Sequence, residues 1–310
     1  MKFSTSLALA AFAGASSVAA FGDLGFDIGV KRNSDGNCKE TSDYLTDFND
    51  MSSLTNTVRV YAVSDCNTLA NMASALTQTG FQAFLGIWPN DDAHFAAELA
   101  ALSTYLPTIS VSNVRAFTVG SEALYRGDLS ASALADKINS AKSYISTLKD
   151  KDGNSWSSVP VGTVDSWNVL VDGGNAAAIQ AADIVLANAF SYWQGQTQAN
   201  ASYSFVDDIM QALQTIQTIK GSTDIPFWVG ETGWPTAGGS YGVSVPSVEN
   251  AQHFWKSAIC AIRAWGINTL VFEAYDESWK PDTSGISNVE KHWGVLNDDG
   301  SAKYDLACTF

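Results

Sequence analysis

The chain has 310 residues, 46% of them hydrophobic, and a formal net charge of -15. So acidic a surface repels nucleic acid and anionic lipid, so neither is an expected partner, whereas an uncharged polymer such as a polysaccharide is compatible with it. Histidine occurs only at His94, His253 and His292. None reads as part of a metal-ligand spacing and no Ser-His-Asp triad has an obvious home, so neither a metal nor a cofactor is expected.

Residues 1–20 read as a cleaved secretory signal: a basic start at Lys2, a short apolar run over 7–13, then small residues ending at Ala20. The apolar run is too short to span a bilayer. The mature chain, 21–310, is therefore expected to begin near Phe21, to be exported, and to form one domain. Its last residues carry no hydrophobic tail of the kind that precedes a lipid anchor. Four cysteines in an exported chain imply two disulfides. Of three pairings, Cys38–Cys66 and Cys260–Cys308 are favoured because each joins near neighbours in sequence. Asn200-Ala201-Ser202 is a glycosylation sequon and predicts a surface loop.

Apolar, β-branched and aromatic runs predict strands at 24–30, 57–63, 81–88 and 114–120, then at 159–164, 183–190, 226–230 and 268–275. Most are too uniformly apolar for a half-exposed sheet and suit parallel strands covered on both faces. Helical spacing appears between them. Asp91 precedes Phe95, Leu99, Leu102 and Leu106, and Ser130 precedes Leu134, Ile138, Ala141, Ile145 and Leu148. Ser247 precedes Ala251, Phe254, Ala258, Ile262 and Trp265, with Gly266 as the stop. Eight strands alternating with helices predict a single (β/α)8 TIM barrel with its active site at the C-terminal ends of the strands. The rival, an open doubly wound sheet, would carry a glycine-rich phosphate loop after its first strand, and 25–30 is not one.

In such a barrel the reacting groups follow the strands. Strand four runs into Val119-Gly120-Ser121-Glu122, and strand seven into Val229-Gly230-Glu231-Thr232-Gly233-Trp234. Two glutamates on opposite sides of one mouth suit glycoside cleavage, which needs one carboxylic acid and one carboxylate; a separation of about 5–5.5 Å would give retention. Trp88, Trp167, Trp193, Trp234 and Trp279 fall at or just past strand runs, where aromatic faces can seat sugar rings.

The run 227–238 resembles the nucleophile signature of glycoside hydrolase family 17, and 119–126 resembles the acid/base segment of its fungal cell-wall branch. The runs 162–167, 187–193, 272–280 and 290–295 are similar to that family too, so the resemblance spans the mature chain. It implies a β-1,3-glucan enzyme working by retaining double displacement, with Glu231 as nucleophile and Glu122 as acid and then base. The implied substrate-binding set is Tyr61, Trp88, Ser121, Asp165, Tyr192, Trp193, Trp234, Tyr275, Glu277, Trp279 and Lys280. Glu277, Lys280 and Glu290 correspond to charged groups lining or supporting the cleft. Related barrels carry asparagine just before the acid/base glutamate; here the position is Ser121, which leaves open what holds the sugar 2-hydroxyl. The fungal branch implies glucanosyl transfer and wall localisation, with a monomer expected. Endo-hydrolysis is the alternative, and a non-catalytic glucan-binding wall protein a remote one.

Overall fold

The computed structural model describes residues 21–283 and 285–309; the expected signal segment lies outside them. Eight strands form a closed, all-parallel barrel in chain order. β1 (Leu24–Asp27) leads to helix α1 (Thr41–Met51), β2 (Thr57–Val60) to α2 (Thr68–Thr79), and β3 (Gln82–Ile87) to α3 (Asp92–Tyr105). β4 (Val114–Ser121) is followed by α4 (Ala131–Ser146), β5 (Val161–Ser166) by α5 (Trp167–Leu170) and α6 (Ala176–Ala181), and β6 (Val185–Asn188) by α7 (Gln198–Lys220). β7 (Phe227–Glu231) leads through α8 (Val248–Phe254), a π-turn (Trp255–Ile259) and α9 (Cys260–Ala264) to β8 (Asn268–Val271). β8 pairs back onto β1, with Leu24 opposite Thr269 and Phe26 opposite Val271.

Alternation along the strands builds two cores. Phe84, Ala116, Val164, Leu186, Trp228 and Leu270 point into the barrel and pack as one set, Phe84 meeting Trp228 edge-on at 4.9 Å. Their neighbours Leu85, Phe117, Val185, Val229 and Val271 point outward under the helices.

Every predicted strand is present, but several are shorter. Residues 28–30, 61–63 and 272–275 leave the ladder, because at the mouth the chain must turn out into βα loops. The expected caps hold: Asp91, Ser130 and Ser247 accept from the backbone N–H of His94, Ala133 and Asn250. Trp265 does not continue the apolar face it was assigned to. The helix stops at Ala264, and Trp265 is 68% exposed. The sequon does not mark a loop either: Asn200 is exposed, but it lies in the first turn of α7, where Ala201 is buried.

Disulfides join Cys38 to Cys66 and Cys260 to Cys308, the pairing that sequence proximity favours. Among the described residues no helix is long and apolar enough to cross a membrane.

Candidate active site

Both glutamates stand where a strand breaks register. The β4–β5 pairing shifts between Thr118 and Ser121, and the β6–β7 pairing passes from Ala187–Val229 to Asn188–Glu231, skipping Gly230. Such irregularities re-aim the side chains that follow them. Gly120 takes φ +78° and Glu122 itself φ +57°, a left-handed conformation that is costly for a residue with a Cβ and is found at functional sites. The Glu122 N–H donates to the Val164 carbonyl at 2.9 Å, which fixes this turn against β5.

Glu231 is held by a buried cation. Arg59 Nη1 donates to Glu231 Oε1 at 2.8 Å, and Nη2 donates to Ser121 Oγ at 2.9 Å. Ser121 Oγ in turn donates to the same Glu231 oxygen at 3.2 Å. Arg59 also lies 3.3 Å from Asp27 Oδ1, and both side chains are almost fully buried. Burial works against the Arg59 charge, but Asp27 and Glu231 outweigh it and keep the guanidinium protonated. Burial likewise drives the Asp27 carboxyl well above its usual range, Arg59 offsetting this only in part.

Glu122 sits in the opposite environment. Burial first, and the charge of Glu231 second, raise its carboxyl from 4.5 to about 7. Asn188 Nδ2, at the end of β6, donates to Glu122 Oε1 at 3.0 Å and acts the other way. The two glutamates thus stand in opposite surroundings, Glu231 beside a fixed cation and Glu122 in a buried setting that favours its protonated form.

The two glutamates line one cleft of about 540 Å³ with Tyr125, Trp167, Asn168, Phe190, Trp193, Tyr241, Phe272 and Glu290. Burial raises the Glu290 carboxyl as well, against the pull of Lys280.

The expected substrate-binding set divides. Trp193 lines this cleft, as does Trp167 from the wider aromatic group. Tyr192 and Trp234 are buried behind it: the Tyr192 hydroxyl donates to the Gly239 carbonyl, and Trp234 Nε1 donates to the Val245 carbonyl at 3.0 Å. Asp165 is fully buried and accepts from the N–H groups of Leu124, Tyr125 and Ser166, so it holds the loop behind Glu122. Ser121 is engaged with Arg59 and Glu231.

Tyr61 lies with its ring 4.6 Å from the Arg59 guanidinium and its hydroxyl buried without a hydrogen-bond partner. Trp88 and Trp279 have a ring face covered by a cation, Arg126 and Lys31 respectively, each at 4.9 Å. Lys280 bridges the buried Glu273, at 3.1 Å, and Glu277, at 2.5 Å. This triad braces the loop after β8, and Lys280 also lies 4.4 Å over the Phe272 ring of the cleft wall. Tyr275 and Glu277 line a separate groove of about 230 Å³, where the Tyr275 hydroxyl donates to Asp50 at 3.3 Å.

Asp27, Arg59, Asn188, Phe190 and Phe272 are not among the residues expected from the sequence to serve the site. A signal existed for two of them: Phe26-Asp27-Ile28 and Val58-Arg59-Val60 each place a charge inside an apolar strand run, where only a buried partner makes it tolerable.

The family model "Glycosyl hydrolases family 17" matches residues 24–308. A glucan 1,3-beta-glucosidase of Saccharomyces cerevisiae is 62% identical over 100% of both chains. One of Candida albicans is 62% identical over 100% of this chain and 99% of its own. Among solved structures, an active-site mutant of the Rhizomucor miehei beta-1,3-glucanosyltransferase in complex with laminaritriose superposes with a TM-score of 0.77 at 29% identity, covering 92% of this chain and 98% of that one. With its barrel, its paired glutamates and a family match over nearly the whole described chain, this protein belongs to glycosyl hydrolase family 17.

Proposed function

We propose that this protein is a secreted β-1,3-glucan-cleaving enzyme that retains anomeric configuration and passes the cleaved chain to a second glucan. The observation that carries the reading is the division of labour in the cleft: Arg59 is anchored on Glu231, while burial holds Glu122 at about 7. A Glu231 oxygen attacks the anomeric carbon as Glu122 gives its proton to the departing glycosidic oxygen, leaving a covalent glycosyl-enzyme. Glu122, now a carboxylate, takes a proton from the acceptor hydroxyl, whose oxygen displaces Glu231. Water as acceptor gives hydrolysis and a sugar hydroxyl gives transfer; both use the same residues.

The aromatic lining of Phe190, Trp193, Tyr241 and Phe272 favours transfer, because flat apolar faces can seat an acceptor sugar and displace water. The likeness to the Rhizomucor miehei transferase supports the same reading. Hydrolysis is the second reading, supported by the name of the Saccharomyces cerevisiae and Candida albicans relatives. Two disulfides, and relatives from fungi, support an extracellular or wall location.

The test is a product profile on reduced linear β-1,3-glucan oligosaccharides. Products longer than the donor, with little rise in reducing ends, are expected. Shorter products alone, with reducing ends rising in step, would establish hydrolysis. Glu231→Gln should lower kcat by at least about 10³-fold while leaving glucan binding nearly intact; unchanged turnover would overturn the nucleophile assignment.

A further inference from the structure

Outside the cleft, the described residues include a cluster of metal-ligating side chains that the reaction does not use. Asp65 lies in the 3₁₀ turn after β2, and His94 and Glu98 lie one helical turn apart on α3. Histidine at position i and glutamate at i+4 share a helix face, a spacing that allows both to reach one ion. His94 Nε2 lies 3.0 Å from Asp65 Oδ1 and 3.1 Å from Glu98 Oε1. The three ligand atoms all fall within 4.8 Å of one another.

Two features set this cluster apart from a surface ion pair. His94 Nε2 is buried and makes no aligned hydrogen bond, although two carboxylate oxygens flank it. A ring N–H points along one axis and cannot serve two oxygens to either side of it, whereas a metal ion in front of the nitrogen can bind all three atoms. In addition, Glu98 is fully buried and pre-oriented. Its Oε2 accepts from the Val63 N–H at 2.7 Å and the Ser64 N–H at 3.3 Å, while Oε1 accepts from Ser64 Oγ at 2.6 Å. Hydrogen bonds of this kind fix the orientation of a ligating carboxylate. Around a tetrahedral ion with bonds of about 2.0–2.2 Å, ligand atoms sit roughly 3.3–3.6 Å apart, so both observed spacings need to open by only a few tenths of an ångström.

We propose that Asp65, His94 and Glu98 form a binding site for a first-row divalent cation of the zinc type. One imidazole and two carboxylates supply three ligands, and Asp65, about half exposed, leaves the fourth position to water. The ion would tie the loop after β2, which carries the Cys38–Cys66 disulfide, to α3, and its role would be structural.

The experiment uses the mature protein, stripped with EDTA and titrated with zinc sulfate, read by calorimetry and by melting temperature. One saturable equivalent per chain and a melting temperature that rises with zinc are expected. His94→Gln and Asp65→Asn should each weaken uptake at least tenfold. His253→Gln should leave uptake unchanged, and His94→Gln should keep the wild-type rate on glucan. Absence of saturable uptake, or equal uptake by His94→Gln, would overturn the site. Should that variant fold poorly, Asp65→Asn, altered at an exposed carboxylate, decides the matter by the same readout.

Discussion

At the scale of single residues, the proposed chemistry rests on a contrast between two glutamates. Glu122 is held at about 7 by burial and by the charge of Glu231. As the proposed general acid, Glu122 must be protonated, so the rate of glucan cleavage should fall along an alkaline limb centred near pH 7. The same shift bears on stability. A carboxyl whose folded value lies above its unfolded 4.5 favours the fold at low pH, and this contribution is lost as pH rises from about 4.5 through 7. Glu122→Gln removes the ionisable group without removing its bulk. It should cost at least about 10³-fold in kcat on glucan and abolish the alkaline limb. It should also raise the melting temperature at pH 8 but not at pH 4, with a gain of at most about 3 kcal/mol. Equal melting temperatures at pH 8 would mean that Glu122 is not held neutral by its surroundings.

At the scale of elements, the strand ends matter more than the strands. Gly230 stands at the β6–β7 register break, and a Cβ there would lie 2.6 Å from Asn188 Oδ1 and 2.7 Å from Val164 Cγ1. Gly230→Ala therefore presses on the side chain that donates to Glu122. Loss of that bond should push the Glu122 carboxyl higher, moving the alkaline limb of the pH–rate profile upward while kcat falls about tenfold or more. Crowding should cost roughly 1–3 kcal/mol of stability. A wild-type pH profile in this variant would show that Asn188 does not tune the acid. The disulfides tie other elements: Cys38–Cys66 joins the loop after β1 to the turn after β2, and Cys260–Cys308 joins α9 to the C-terminal segment. In the chain-entropy account, closing spans of 28 and 48 residues stabilises by roughly 4 kcal/mol each.

At the scale of the whole molecule, burial of carboxylates sets the response to pH. Asp165 and Asp208 are both raised by burial to about 6, and Asp47, Glu98, Glu273 and Glu290 are raised for the same reason. All these groups favour the fold at acid pH and lose that contribution as pH rises through their folded values. Asp150 is the reverse: hydrogen bonds from Asn154, Val111 and Asp152 overcome burial and lower it to about 2, so its contribution appears above the ordinary carboxylate value and is lost in strong acid. The net charge of -15 adds self-repulsion toward neutral pH. The melting temperature should therefore peak in weakly acidic buffer, near pH 5, and fall toward both pH 3 and pH 8. A maximum at pH 8 would contradict this distribution of buried carboxyls.

The local pattern of residues was enough to determine the alternation of strands and helices, the caps at Asp91, Ser130 and Ser247, and the two glutamates at strand ends. These follow from period and from neighbours in sequence, which a single chain displays openly. Only the closed barrel decided which side chains meet. Asp27, Arg59, Ser121 and Glu231 come from β1, β2, β4 and β7, and no spacing along the chain announces that they share one buried hydrogen-bonded group. Tertiary packing also decided which aromatic faces the cleft: Trp193 and Trp167 line it, while Trp234 and Tyr192 are spent on the wall behind. The physical reason is that burial, and the pKa shifts that follow from it, are properties of surroundings assembled across the chain.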